Sequence, residues 1–261
     1  MFAKLFGMFD AQRAKRCINK SAYRSELQAM PGNLLEAWRA GAGREFLGIP
    51  SDAYFFARAC DGLMTFFDCV RQSGKPCALP SKAADSVWHV WQEIDPIGLD
   101  RFCRRHFGQV IPHVVASDMA GTMDAALANT LVAARKLAGI AEAGPRVPKL
   151  FLLDRGLKMP GGYGYQAVDG EVGYQHLDTG GQPVSPMFFP SGLAVAQMLA
   201  VGLITEEMYS SYLARAKEGG GSSCGSSCGS SCSSDSSSDS GSGDGGSSCG
   251  SSCGSSCGGG N

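Results

Sequence analysis

The sequence predicts a mainly α-helical protein with an irregular glycine- and proline-rich insert and a disordered C-terminal tail. Apolar residues in the N-terminal half recur at spacings of three and four, which is typical of helices. Glycine and proline are then concentrated between residues 145 and 190. The last 43 residues contain no Leu, Ile, Val, Met or aromatic residue. We therefore expect three segments, a helical domain at 1–144, the insert with two following helices at 145–218, and the tail at 219–261.

A short amphipathic helix is predicted at the N-terminus, where apolar residues recur at Phe2, Leu5, Phe6 and Phe9. This helix either packs on the core or lies on a membrane surface, with Lys4 and Arg13 near the headgroups. The segment lacks the apolar run of a signal peptide, and no stretch approaches the length of a transmembrane helix. We therefore expect a cytoplasmic protein whose thiols stay reduced.

Five further helices are predicted before the insert, at about residues 33–47, 52–72, 83–93, 95–107 and 117–137. Ser51 and Asp52 can cap the second of them. Asp95 followed by Pro96 is a start signal, because Asp can cap and Pro at the first position loses no needed N–H. Gly41 and Gly43 weaken the first helix, whereas the last is rich in alanine and favours helix strongly.

The insert at 145–190 reads as loop or short β-hairpin, because glycine and proline alternate with aromatic residues there. We expect it to cover one face of the helical domain. Two helices should follow, one from Ser191 to about Val201 and one that Thr205 caps.

The motifs of several common enzyme classes are missing, including the P-loop, the GxSxG elbow, HExxH and any CxxC pair. A net charge of −1 gives no reason to predict nucleic-acid binding. Arg101, Arg104 and Arg105 form a basic stripe, which is typical of a solvated helix face but could contact phosphate or an acidic partner. The leading interpretation is therefore a binding or scaffold protein with an unidentified protein partner, rather than an enzyme.

One constellation nevertheless suggests a metal site, since three of the four histidines fall between residues 89 and 113 together with Cys103. Two helices joined by a short turn could bring His89, Cys103 and His113 together. Nitrogen and sulfur ligands of this kind suit zinc or another borderline-soft ion. Asp85 lies four residues before His89, on the same helix face, and could orient its imidazole.

Two other interpretations of the same residues stay open. Cys103 next to Phe102 is typical of a small buried apolar residue, and His89 between Trp88 and Trp91 could simply hydrogen-bond inside the core. A thiol enzyme built on Cys103 would need a neighbouring base, yet no third polar group stands out as its orienter.

A resemblance to a known family is carried by one run of about 35 residues, comprising Leu79-Pro80, Asp85-x-x-Trp88-His89, Phe102-Cys103, Gly108 and His113. This pattern resembles the bacterial family called glycine-rich domain-containing protein-like. The sequence departs from the pattern at Leu99, where an aromatic residue is usual, at Trp91-Gln92 and at His106. The resemblance implies a helical domain with a low-complexity tail, in which Trp88, His89, Cys103 and His113 act as a unit. It implies no reaction.

The tail carries two copies of the block CGSSCGSSC around an acidic spacer, with its six cysteines at Cys224, Cys228, Cys232, Cys249, Cys253 and Cys257. Such a segment cannot bury enough apolar surface to fold. Four interpretations are open. The repeat could have expanded by drift, its thiolates could chelate Zn or another soft metal, a modifying enzyme could convert its Cys and Ser residues, or the thiols could form intermolecular disulfides. A metal-binding protein and a precursor of a modified peptide are therefore the alternatives to a binding or scaffold protein.

Overall fold

The computed structural model describes residues 2–113 and 123–219, with side chains described between residues 9 and 217 of those ranges. Within them the chain is mainly α-helical with one two-stranded sheet, which confirms the predicted fold class. The predicted start of a helix at Ser117 and the tail after Gly219 lie outside the described residues. No helix of the described ranges has the length and hydropathy needed to cross a bilayer.

The helices of the described ranges are α1 Phe2–Lys20, α2 Arg24–Ala29, α3 Leu34–Gly41, α4 Ala53–Ser73, α5 Lys82–Ile94, α6 Pro96–Phe107, α7 Met123–Leu137, α8 Leu153–Leu157, α9 Val195–Ala200 and α10 Glu206–Gly219. The antiparallel strands are β1 Tyr163–Val168 and β2 Glu171–His176. Short 3₁₀ turns occupy Ala42–Arg44 and Ser191–Leu193. The described residues form a single unit by their contacts.

Several predicted helix ends are confirmed by their capping contacts. The Asp52 side chain accepts from the Phe55 N–H at 2.8 Å and begins α4. Asp95 likewise accepts from the Gly98 N–H at 2.9 Å at the start of α6, and Gly108 ends that helix with φ of 77°. This positive φ is accessible to glycine without a Cβ clash, so the chain can turn sharply toward His113.

The predicted helix at 33–47 is shorter than expected. It ends at Gly41 and continues only as the 3₁₀ turn Ala42–Arg44. Gly41 lies against Val90 of α5, and a β-carbon there would approach the Val90 side chain to 3.6 Å. Two further helices, α2 and α8, were not predicted, because each has only five or six residues and too few apolar positions to show a period.

Helix α4 is the centre of the core and packs against α1, α5 and α7. Its buried face carries the large residues Leu63, Met64 and Phe67. Trp38 of α3 lies fully buried beside it and donates its indole N–H to Ser86 Oγ of α5 at 3.0 Å. The contact holds α3 against α5, which places the chain that follows α3 over the exposed face of α5.

The insert forms the β1–β2 hairpin, whose turn contains Asp169 and Gly170, both with positive φ. The hairpin is tied to the helices by Asp154 of α8, a buried carboxylate that accepts from Ser81 Oγ at 2.6 Å and from three backbone N–H groups at 3.0 Å, those of Lys82, Ala83 and Tyr163. Burial raises the pKa of Asp154, and these four donors partly offset that rise. The carboxylate therefore joins the start of α5 to the start of β1.

A second buried ionic group fixes the chain that leaves α7. Arg135 is fully buried, and its guanidinium donates to the backbone carbonyls of Glu142, Gly144 and Arg146. Desolvation lowers the pKa of Arg135 to about 10. Because three carbonyls satisfy this cation, the loop between α7 and the insert is held in one conformation.

Candidate metal centre

Asp85, His89 and His113 bring three potential ligand atoms to one point on the surface of α5, with all three atoms within 4.8 Å of one another. The Nε2 atoms of His89 and His113 are 3.0 Å apart. Asp85 Oδ1 lies 3.1 Å from His113 Nε2 and 3.5 Å from His89 Nε2. The three atoms thus form a small, nearly equilateral triangle.

Helix α5 supplies two corners of this triangle because Asp85 and His89 are four residues apart and share a face. The opposite face carries Ala84, Val87 and Trp91 into the core, so the orientation of the helix is set by burial. Ser81 caps its start by accepting from the Ala84 N–H at 3.2 Å. The Ser81 hydroxyl also donates to Asp154 at 2.6 Å. Because Asp85 lies in the first turn of α5, its position depends on this contact between Ser81 and Asp154.

His113 reaches the site from the segment after α6. Its ring lies edge-on to the buried Trp88, with the ring centroids 4.5 Å apart. Trp88 in turn packs edge-on against Phe67 of α4 at 5.2 Å. Aromatic pairs of this geometry are favourable, and they anchor the imidazole of His113 to the core while its Nε2 faces His89.

Glu45 is a further member of the site that sequence reasoning missed. Its Oε2 lies 2.6 Å from His89 Nδ1, the nitrogen opposite to the one that faces His113. A carboxylate at that distance accepts a hydrogen bond from Nδ1–H, which keeps the proton on Nδ1 and leaves the Nε2 lone pair of His89 free to face the triangle. Glu45 follows the 3₁₀ turn after α3, 44 residues from His89, so no local spacing could have indicated it.

The sequence assigned the orienting role to Asp85, and the structure places that residue differently. The Asp85 oxygen faces the Nε2 atoms of both histidines, whereas Glu45 contacts Nδ1 of His89. Asp85 thus occupies the place of a third ligand, and Glu45 occupies the place of the orienting carboxylate. The spacing of four residues indicated that Asp85 and His89 share a face, but not which imidazole nitrogen the carboxylate meets.

Cys103, the third ligand predicted from the sequence, does not belong to the cluster of Asp85, His89 and His113. The residue is 1% exposed within α6, and burial raises the pKa of its thiol to about 12. A hydrogen bond with the backbone of Ile111 partly offsets that rise. Since Ile111 precedes His113 by two residues, Cys103 helps to position the segment that carries the histidine.

The other predicted elements lie away from the triangle. His106 faces Glu26, with 3.9 Å between Nδ1 and Oε1, and stacks near the ring of Phe102. Arg101, Arg104 and Arg105 are exposed on α6. The six tail cysteines, from Cys224 to Cys257, lie outside the described residues. The structure therefore brings together two of the predicted metal ligands, His89 and His113.

The site is open to solvent on one side and rich in carboxylates. The side chains of His89, His113 and Asp85 are 22–29% exposed, and Glu45 is 57% exposed. The negative charges of Asp85 and Glu45 beside the two imidazoles favour the binding of a cation at this position. Three ligand atoms with an accessible side leave at least one coordination position for water or another group.

Comparison with known proteins gives one family match. Residues 55–179 match a family model described as UCP032817-like, a range that contains Asp85, His89, Cys103 and His113 but not Glu45. Neither the curated proteins nor the solved structures searched contain a match. The match does not bear on the resemblance to the glycine-rich domain-containing protein-like family, which stays a prediction.

Proposed function

We propose that this protein binds one divalent metal ion, zinc or an ion with similar ligand preferences, through Asp85, His89 and His113. Two imidazole nitrogens and one carboxylate oxygen are ligands that zinc accepts. Glu45 is the positioning residue that holds the His89 imidazole in the metal-binding tautomer.

The observation that carries the proposal is the size of the triangle formed by the three ligand atoms. Its sides measure 3.0, 3.1 and 3.5 Å. A tetrahedral zinc ion with bonds of about 2.0–2.1 Å would need ligand atoms about 3.3–3.4 Å apart. The three atoms therefore already have nearly the spacing of one face of a coordination tetrahedron.

The tautomer of His89 favours the same interpretation. With its proton on Nδ1 toward Glu45, Nε2 of His89 has only a lone pair to present to His113. A metal ion between the two rings would satisfy both Nε2 lone pairs. The competing arrangement is a metal-free hydrogen bond, in which Nε2–H of His113 donates to His89 and Asp85.

An open coordination position connects the metal site with the broader expectation of a binding module. Such a position can accept water, a small molecule or a side chain of a partner protein. The proposals for the tail, metal binding by its thiols or modification of its cysteines, concern residues outside the described ranges and are independent of this site.

Metal content of the full-length protein tests the proposal, measured by mass spectrometry after purification in zinc-containing buffer without chelator. All six tail cysteines are first replaced by serine, so that thiols there contribute no metal. We expect one equivalent in this background and loss of that equivalent in the His113→Ala variant. His176→Ala is the matched control, because this exposed histidine on β2 lies outside the cluster.

Substitution with Co²⁺ reports the type of ligand atom and the coordination number through visible absorption. Visible absorption typical of a nitrogen- and oxygen-ligated ion of low coordination number should arise in the same background and disappear in His113→Ala. A background protein that folds but holds no stoichiometric metal would exclude the proposal and leave the metal-free hydrogen bond between the histidines. Equal metal in the His113→Ala and His176→Ala variants would exclude it as well.

A further inference from the structure

A second site lies on another part of the molecule, in a cavity of about 330 Å³ between α1, α4 and the chain before α8. Its floor is formed by the buried side chains of Leu150 and Leu153, beside Gly62 of α4. Gly62 allows this close packing, because a β-carbon there would overlap Leu153 Cδ2 unless the leucine side chain moved. The volume falls in the range of small-molecule sites, roughly 300–1,000 Å³.

The rim of this cavity is strongly basic. Five cations line it, Arg13, Arg16, Lys20, Arg58 and Lys149, against the single carboxylate of Asp61. Within the part of the chain that the structure describes, none of the five cations forms an ion pair with a carboxylate. Asp61 is engaged by the Ser21 hydroxyl, which donates to its Oδ1. The cavity therefore has a clear excess of positive charge that its own residues do not neutralise.

Arg58 adds a donor that no described group of the protein satisfies. Its Nε is buried without a hydrogen-bond partner among the described residues. A buried donor on a guanidinium is costly to leave unsatisfied. The neighbouring Arg13 is held in place by its guanidinium lying 4.1 Å from the centre of the Tyr54 ring, so the basic rim is partly preorganised.

We propose that this cavity binds the phosphate groups of a small polyanionic ligand, with a pyrophosphate group as the recognised unit. Arginine forks donate in pairs to phosphate oxygens, and lysines add charge without a fixed geometry. Several cations converging on one cavity fit two linked phosphates better than a single carboxylate. The apolar floor at Leu150 and Leu153 can accept the non-phosphate part of the ligand.

Titration of full-length protein with sodium pyrophosphate tests this proposal by isothermal calorimetry. Pyrophosphate also chelates metal ions, so the protein is first treated with a chelator and dialysed. We expect saturable one-to-one binding that weakens as NaCl is raised. The Arg16→Gln/Lys20→Gln variant should weaken the affinity at least about tenfold, since two charged contacts are lost from exposed positions without disturbing the core.

The matched control is Arg104→Gln/Arg105→Gln, which removes the same charge from exposed positions of α6. It should bind pyrophosphate like the unaltered protein. A parallel arm measures flotation with phosphatidylcholine vesicles, with and without phosphatidic acid, to distinguish a soluble phosphate ligand from a lipid headgroup. Pyrophosphate binding that is lost in the Arg16→Gln/Lys20→Gln variant but not in the control supports the proposal, whereas binding to the vesicles without binding of pyrophosphate would overturn it in favour of a lipid headgroup. No saturable binding in both arms, or equal losses in the two variants, would overturn it.

Discussion

His89 Nδ1 and Glu45 Oε2 lie 2.6 Å apart, and this contact decides which nitrogen of His89 faces His113. The carboxylate comes from the chain after α3, whereas the imidazole belongs to α5. Packing of α3 on α5 through Trp38 and Ser86 is what brings them together. The proposed metal site thus depends on a tertiary contact that no short sequence motif contains.

Replacing Glu45 by Gln should weaken metal binding by about 10- to 100-fold while leaving the fold intact. The neutral amide oxygen of Gln accepts from Nδ1–H more weakly than the charged carboxylate does, so the metal-binding tautomer of His89 loses part of its support. Competition with a chromophoric chelator measures the affinity, and a thermal melt by circular dichroism monitors the fold. Glu93→Gln is the control, because Glu93 is an exposed acid that pairs with Arg44 at 3.2 Å. Equal affinities in the two variants would remove Glu45 from the site.

Replacing Cys103 by Ala should retain one equivalent of metal, in contrast to His113→Ala, because the Cys103 thiol is not among the three clustered ligand atoms. The affinity should fall modestly, since the thiol's hydrogen bond with the Ile111 backbone helps to hold the His113 segment. The measurement is metal content together with a chelator competition, in the protein whose tail cysteines are serine. Complete loss of metal with an unchanged thermal melt would return Cys103 to the ligand set.

The Cys103 thiol should resist alkylation in the folded protein at pH 8. Its pKa is raised to about 12 by burial, so the thiolate that reacts is scarce. The same raised pKa makes the folding stability of the protein depend on pH. A thiol with a raised pKa contributes stability that is present below its ordinary pKa near 9 and is lost as pH rises through about 12. Iodoacetamide labelling followed by peptide mass mapping at pH 8, with and without urea, measures the protection. Rapid labelling in native buffer would instead indicate an accessible nucleophile.

Sequence patterns predicted those elements whose determinants are local. Asp52, Asp95 and Gly108 mark helix ends through contacts within a few residues, and all three act as predicted. The joint position of His89 and His113 was also anticipated, because only one helix and one turn separate them. For Cys103 the sequence left two interpretations open, a metal ligand and a small buried apolar residue, because both occupy the same position in a pattern. The structure confirms the buried residue.

Long-range contacts account for what the sequence could not indicate. Glu45 and Asp154 act on α5 from 44 and about 70 residues away, and neither lies in a recognisable motif. The need for glycine at position 162 also comes from a tertiary contact. A β-carbon there would come within 2.7 Å of Asp154 Oδ2, and the sequence alone does not show this proximity. The burial of Asp154 among four hydrogen-bond donors produces no repeating pattern of residue types that a sequence analysis could detect.

Replacing Asp154 by Asn should destabilise the protein by about 3 kcal/mol and weaken metal binding with it. The amide would present an N–H₂ group to a place where Ser81 Oγ and three backbone N–H groups all donate, so at least one buried donor loses its acceptor. The start of α5 would loosen, and Asp85 stands in its first turn.

Urea denaturation measures the stability of the Asp154→Asn variant, and chelator competition measures its metal affinity. Asp169→Asn is the control, since this exposed turn residue has a φ of 51° that asparagine also adopts readily. If Asp154 positions Asp85 as well as stabilising the fold, the Asp154→Asn variant should lose metal affinity even in buffer where circular dichroism shows that it is fully folded. A folded variant with unchanged metal affinity would mean that the cap of α5 supports stability alone, and that Asp85 is positioned by the rest of the helix.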